Sequence, residues 1–120
     1  MTKPRILIAD DEENIRESLN LILGEIYDLA FAKNGEEALA QLRSGAFELA
    51  LLDIKMPKLD GMEVLKRLKE TNHATPVLML TAYQSVEIAK EAIKLGAMDY
   101  LPKPFDREHL LTTIRGILER

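Results

Sequence analysis

Asp53 is the residue in this chain best placed to act as a nucleophile. It closes a short apolar run, ELALLD, and is followed by IKMPKLDG. An acidic pair, Asp10 and Asp11, closes the first apolar run, RILIADD, and Lys103 comes after the last, in MDYLPKP. Thr81 ends another run, PVLMLT, with the small Ala82 after it. Charge at the same relative place after several apolar runs predicts one polar site on the edge of a buried sheet. Three carboxylates brought together repel one another and raise the pKa of at least one of them unless a cation is bound. Mg²⁺ suits such a site, since it takes one or two carboxylates, waters and phosphate oxygens. Asp53 would then accept a phosphoryl group as an acyl phosphate. The cation and Lys103 would offset charge on the transferring group. The Thr81 hydroxyl can donate to a phosphoryl oxygen, and Ala82 leaves room beside it.

Taken singly, these residues have plainer readings. Asp10-Asp11 reads equally as an exposed turn with Asp11 capping a helix. Asp53 and Thr81 read as turn, cap or strand-end residues. Lys103 reads as a solvated lysine whose backbone is restricted by the next residue, a proline. Met56, Met62, Met79 and Met98 read as packing, and His73 and His109 as surface residues far from the acids in sequence. The chemistry is argued by the set.

The elements that must position this set alternate along the chain. Ile6 to Ala9 reads as a buried strand, and residues 13 to 24 carry Ile15, Leu19, Ile22 and Leu23 at helical spacing, with Gly24 to end the helix. A weaker strand spans 27 to 32, and Asn34-Gly35 is a turn signal before the helical stretch Glu36 to Leu42. Leu49 to Leu52 is the third strand, and Gly61 opens a helix with Val64, Leu65 and Leu68 on one face. PVLMLT is the fourth strand, and residues 85 to 94 form a helix with Val86, Ala89 and Ile93 inward. Met98 to Leu101 is a short fifth strand, and Asp106 caps a last helix that packs Leu110, Ile114, Ile117 and Leu118. Five strands alternating with five helices predict an α/β fold with a parallel sheet. Runs without polar alternation, such as ILIA and LALL, suit strands covered on both faces. Ligands bind such sheets beyond the carboxyl ends of the strands, where strand order reverses. In the order 2-1-3-4-5, the reversal falls between the strands ending in Asp10-Asp11 and Asp53. Periodicity alone does not fix that order; the convergence of the carboxylates argues for it.

The bulk properties agree with one domain spanning 1–120. A chain of 120 residues suits a single compact unit. Cysteine is absent, which excludes disulfides and thiolate metal sites. The net charge of -4 comes without any basic block, so direct nucleic-acid binding by phosphate neutralisation is not expected. The apolar runs fall far short of the ~20 residues that span a bilayer. The N-terminal run is too short for a signal peptide and ends in acids. The expected setting is the cytoplasm, with no membrane partner.

These pieces resemble the receiver domain of a two-component response regulator. The matching segments are ILIADDEE, LLDIKMPKLDG, LTAY and YLPKPF, with NGEEAL and LGAMDY between them. They keep the family order and spacing over essentially the whole chain. The resemblance implies a flavodoxin-like fold in which Asp10, Asp11 and the backbone carbonyl of Lys55 bind Mg²⁺ together with Asp53. It implies phosphorylation of Asp53, phosphoryl contacts from Thr81 and Lys103, and a switch role for Tyr100. It also implies a cis Lys103-Pro104 bond, a turn and helix start at Pro57 and Gly61, and flanking of the acyl phosphate by Lys55 and Tyr83. The expected partners are a sensor histidine kinase or phosphotransfer protein and an output domain. The output surface would be helix 4, strand 5 and helix 5, with Gln84, Glu87, Lys90, Glu91 and Lys94 exposed on it; a homodimer through that face is the other use. The wording from DIKMPKLDG to LPKPFD is most similar to receivers of nitrogen-regulation-type (sigma-54-dependent) transcription activators. Those add an AAA+ ATPase and a DNA-binding domain, so an excised receiver or a single-domain regulator is expected. Such a domain catalyses only its own phosphorylation and dephosphorylation.

Two other classes compete. A haloacid-dehalogenase-type phosphohydrolase also uses an aspartyl phosphate and Mg²⁺, but it needs an acidic residue two places after the nucleophile, where this chain has Lys55. A phosphorylation-independent interaction module would not need the intact acid set.

Overall fold

The computed structural model describes residues 3–82 and 86–119, with only the backbone of Val86. The chain runs β1 (Arg5–Ala9), α1 (Glu13–Leu23), β2 (Asp28–Ala32), α2 (Gly35–Ser44), β3 (Leu49–Asp53), α3 (Gly61–Glu70), β4 (Val77–Thr81), α4 (Val86–Lys94), β5 (Asp99–Pro102) and α5 (Arg107–Leu118). The five strands form one parallel sheet in the order β2-β1-β3-β4-β5. The doubly wound α/β architecture and its strand order are those expected from the sequence. The two least apolar strands, β2 and β5, lie at the edges.

Side chains alternate across each strand, and in the central strands β1, β3 and β4 both faces are buried. Leu7, Ala9, Ala50, Leu52, Val77 and Met79 point to one face, where they meet residues from α2, α3 and α4. Ile6, Ile8, Leu49, Leu51, Leu78 and Leu80 point to the other, where Leu19 and Leu23 of α1 and Leu110, Ile114 and Ile117 of α5 cover them. The starts of α2, α3 and α5 are set by side-chain caps. Asn34, Asp60 and Asp106 each accept the amide N–H three residues on, satisfying donors that the first helical turn leaves unpaired.

Helix α4 departs from its expected face. Ala92 is fully buried and Ala89 nearly so, whereas Ile93 is 47% exposed. Ile88, Ala92 and Leu95 form the inward stripe at i, i+4 and i+7. Ile93 lies about 100° around the helix from Ala92, which explains its exposure. The expected inward side chain of Val86, and the residues Tyr83 and Gln84, lie outside the described residues. Met98 is also exposed rather than packed.

Candidate functional site

Sheet register sets the site. Ala9, Leu52 and Met79 lie side by side in adjacent strands, so the next residues, Asp10 and Asp53, emerge together at the carboxyl edge. Thr81 pairs with Pro102 at the end of β4, which brings Lys103 to the same edge. The Lys103 amide donates to the Thr81 carbonyl at 2.7 Å, and the Lys103-Pro104 peptide bond is cis.

The lysine side chain turns into the acids. Its Nζ lies 2.6 Å from Asp10 Oδ2, 3.4 Å from Asp53 Oδ1 and 4.0 Å from Glu12 Oε1. Asp10 is fully buried, and Asp53 and Thr81 nearly so. Asp10 is held on every side. Its Oδ1 accepts the Glu12 amide at 2.9 Å, its carbonyl accepts Arg16 Nη1 at 2.7 Å, and its amide donates to the Ala32 carbonyl at 3.1 Å.

Burial is the largest influence on Asp53; with the neighbouring charge of Asp10 it outweighs the attraction of Lys103, and the carboxyl is pushed up from 3.8 to about 6. Burial alone would depress the Lys103 ammonium. Its hydrogen bond to Asp10 and the charges of Asp53 and Asp10 override this and raise it. The site therefore sets a fixed cation beside an Asp53 carboxyl that resists ionisation.

A cleft of about 680 Å³ opens over these groups, lined by Asp11, Glu12, Asp53, Lys55, Met56, Pro57, Ala82 and Lys103. Carboxylate oxygens of Asp10, Asp11 and Glu12 lie within 4.8 Å of one another. This is an all-oxygen donor set, which suits a hard cation such as Mg²⁺ better than a thiophilic metal. The unfavourable carboxylate crowding at Asp53 is relieved by added positive charge, so the residues fit the ion.

The expected residues fall into two groups. Asp10, Asp11, Asp53, Lys55, Thr81 and Lys103 come together at this edge. Tyr100 is 37% exposed on β5 and lines a separate shallow groove with Ala89, Lys90, Ile93 and Lys94. Glu87, Lys90, Glu91 and Lys94 are exposed as expected. The simple capping alternatives are not realised. Glu12, not Asp11, stands at the start of α1, and Asp60, not Asp53, caps α3. His109 is on the surface, but His73 is partly buried and ties the loop between α3 and β4 to α2. Its Nε2 meets the Leu42 carbonyl at 2.7 Å, and its Nδ1 accepts the Thr75 amide at 3.3 Å.

Two residues of the site were not expected from the sequence: Glu12, the third acid of the cluster, and Arg16, which holds the Asp10 backbone. Glu12 is legible in the run DDEE. Arg16 carries no local signal, because its role depends on the chain turning back into α1.

The loop after Asp53 is tightly fixed. The Gly61 amide donates to the Ile54 carbonyl at 2.7 Å. A Cβ on Gly61 would lie 2.2 Å from the Asp53 carbonyl oxygen, so glycine is required there by close approach to the Asp53 backbone.

The sequence profile of the response regulator receiver domain matches residues 6–115. The transcriptional regulatory protein ZraR of Escherichia coli K12 is 45% identical over 114 residues, covering 94% of this chain and 26% of that protein. The uncharacterised transcriptional regulatory protein YkoG of Bacillus subtilis is 43% identical, covering all of this chain and 53% of its own length. The chain thus spans between a quarter and about half of these relatives. Among solved structures, the Francisella response regulator 1452 receiver domain superposes with a TM-score of 0.94 at 34% identity, covering 98% of each chain. The BeF3-activated DrrB receiver domain gives 0.89 at 31% identity, covering 99% of this chain and all of its own.

Proposed function

This chain belongs to the response regulator receiver domain family, and from that premise we propose that Asp53 is its phosphoacceptor and residues 1–120 form one receiver domain. The observation that carries this reading is the buried Lys103 ammonium, held between Asp10 and Asp53 at 2.6 and 3.4 Å. A phosphohistidine on a sensor kinase or phosphotransfer protein donates. An Asp53 carboxylate oxygen forms the new bond to phosphorus, the P–N bond breaks, and its electron pair stays on the imidazole. Lys103 faces the incoming phosphoryl oxygens, and the Thr81 hydroxyl donates to one of them.

Asp10, Asp11 and the Lys55 carbonyl, with Asp53, are the ligands proposed for Mg²⁺. Bound there, the ion offsets charge on the transferring group. Glu12 lies close enough to join through water.

Phosphorylated Asp53 adds charge and acceptor oxygens that pull on Thr81 and Lys103. This favours one of two arrangements of the loop after β4, α4 and Tyr100. The burial of α4 supports that choice of moving element. Among its described side chains the buried ones are Ala89 and Ala92, whereas α3 buries Val64, Leu65 and Leu68. The face of α4, β5 and α5 then controls an output domain or a second copy of the chain. Transcription regulation in the cytoplasm, through an AAA+ ATPase and DNA-binding domain of the nitrogen-regulation type, is the setting proposed. No helix among the described residues is long and apolar enough to cross a membrane.

Intact mass after incubation with acetyl phosphate tests the reading. A gain of ~80 Da that needs both Mg²⁺ and Asp53 is expected. No gain from acetyl phosphate or from a cognate kinase would overturn it. Lys103→Ala should still fold and should lose phosphate-dependent binding of the output partner. Unchanged binding would remove Lys103 from the switch.

A further inference from the structure

One contact outside the acidic cluster has direct access to it. The segment Ile54–Asp60 carries Lys55 from the nucleophile to α3. Its near side is fixed by Gly61. Its far side rests on the first residue of α2. Gly35 is buried there, and a Cβ built on it would lie 1.8 Å from the Leu59 carbonyl oxygen, 2.6 Å from that carbonyl carbon and 2.7 Å from Leu59 Cβ. No side chain fits that gap, and most of the opposing atoms are backbone, which cannot rotate aside. The Gly35 backbone is an ordinary helical one, with no positive φ. Close approach, not backbone conformation, therefore calls for glycine at this position.

Both partners are held. On the helix side, the Asn34 side chain caps α2 by accepting the Glu37 amide at 2.9 Å, and Glu37 Oε1 accepts the Lys33 amide at 3.0 Å. This reciprocal arrangement fixes the helix start. On the loop side, the Leu59 amide donates to the Pro57 carbonyl at 2.7 Å, beside Lys58 with a φ of 68°. A turn this tight, containing a non-glycine residue in the left-handed region, has few ways to yield. A shift of Leu59 would be passed through Lys58 and Pro57 to Met56 and Lys55, which line the cleft.

We infer that Gly35 is a positioning residue for the cation site: its missing side chain lets α2 seat Leu59, and that seat fixes the loop carrying the Lys55 carbonyl. The inference rests on the proposed Mg²⁺ reading and adds to it a residue on a different helix.

The chain carries its own control. A Cβ on Gly116, within α5, would meet nothing within 4 Å. Glycine-to-alanine in an open helical position should raise the melting temperature. Gly116→Ala is thus expected to stabilise the fold and leave Mg²⁺ affinity unchanged. Gly35→Ala is expected to weaken Mg²⁺ binding about tenfold or more, as loss of outer support for a metal site does. The measurements are calorimetric Mg²⁺ titration and amide hydrogen exchange at Leu59 and Gly61 in the metal-free protein. Faster exchange at both amides is expected in Gly35→Ala alone. With acetyl phosphate, that variant should need more Mg²⁺ to reach the half-maximal rate and should recover the wild-type plateau, a split that general destabilisation does not produce.

If Gly35→Ala does not fold, Leu59→Gly takes its place, loosening the same contact from the loop side; weaker Mg²⁺ binding is again expected. Mg²⁺ affinity and amide exchange like wild type in whichever variant folds would overturn the inference while leaving the metal reading intact. A wild-type protein that takes up no Mg²⁺ would overturn both.

Discussion

The two ends of the sheet hold similar ingredients and put them to different use. At the amino end, a cleft of about 680 Å³ is lined by Lys3, Arg5, Tyr27, Asp28 and Glu48 among others, and the carboxyl-end cleft has the same volume. Each contains a cation between acids. Arg5 stands 3.6 Å from Asp28, donates its amide to Glu48 and stacks 4.6 Å over the Phe47 ring. These side chains are exposed, 46% for Arg5 and 63% for Asp28, whereas Lys103 and Asp10 are 9% and 0%. Water screens the first pair, so it links β1 and β2 at little electrostatic gain or cost. Burial denies that screening to the second. Asp10 and Asp53 share one ammonium there, and Asp53 is driven up to about 6. Cleft size does not single out the proposed site; desolvated charge does.

The sharpest break in this comparison is chemical. Asp53→Asn should abolish phosphoryl uptake from acetyl phosphate, while Asp28→Asn should leave it at the wild-type level, both read by intact mass. Stable phosphorylation of the Asp53 variant would remove Asp53 as acceptor. Next in size is Lys103→Ala. Breaking a buried ion pair from one side leaves uncompensated charge, and a loss of about 3 kcal/mol in metal-free stability near neutral pH is expected. Denaturant unfolding in EDTA measures it. Added Mg²⁺ should return part of the loss, because a ligand of the native state stabilises by mass action. A loss as small as that of an exposed pair would mean that the carboxyl-end acids are solvated after all.

Much of the fold and the site is legible in the sequence, and the reason is geometric. In a parallel sheet the functional edge is wherever strands stop, so Asp10, Asp53, Thr81 and Lys103 are found by looking at the residue that ends each apolar run or lies just beyond it. The same residues argue for the strand order, since β1 and β3 must be neighbours for Asp10 and Asp53 to meet. The features that stay hidden depend on direction rather than position. Helical spacing cannot choose between Ala92 and Ile93 as the inward residue of α4, because both are apolar and the sheet decides which faces it. His73 looks like a surface residue because the group that holds its ring, the Leu42 carbonyl, lies on α2, far away in sequence. Gly35 reads only as half of a turn signal. Its close approach to Leu59 exists once α2 and α3 pack side by side, and no local pattern records that.

The titration of Asp53 gives a smaller effect with a definite sign. Its folded pKa of about 6 lies above the ordinary 3.8, so the native state binds the proton more tightly than the unfolded chain. Stability from this group is therefore present at low pH and lost as pH rises between those values, at most about 3 kcal/mol in all. Asp53→Asn removes the penalty along with one partner of Lys103. A net gain of about 1–2 kcal/mol in metal-free stability is expected at pH 7.5, shrinking as pH falls from 6 toward 4. Unfolding curves in EDTA across that range test it. A pH-independent difference between the two proteins would show that Asp53 is not the strained carboxylate.

The smallest effect completes the contrast. Asp28→Ala deletes the exposed partner of Arg5 but leaves the Arg5 backbone bond to Glu48 and its stack on Phe47 in place. A cost below about 1 kcal/mol is expected, falling further as salt is added. Moderate salt should do far less to Lys103→Ala, whose broken pair lies inside the protein where counterions reach poorly. Chemical unfolding in urea at two salt concentrations distinguishes the cases. Equal salt sensitivity at both ends would mean that they differ in composition alone. Burial would then no longer support placing the proposed phosphoryl chemistry at one end of the sheet.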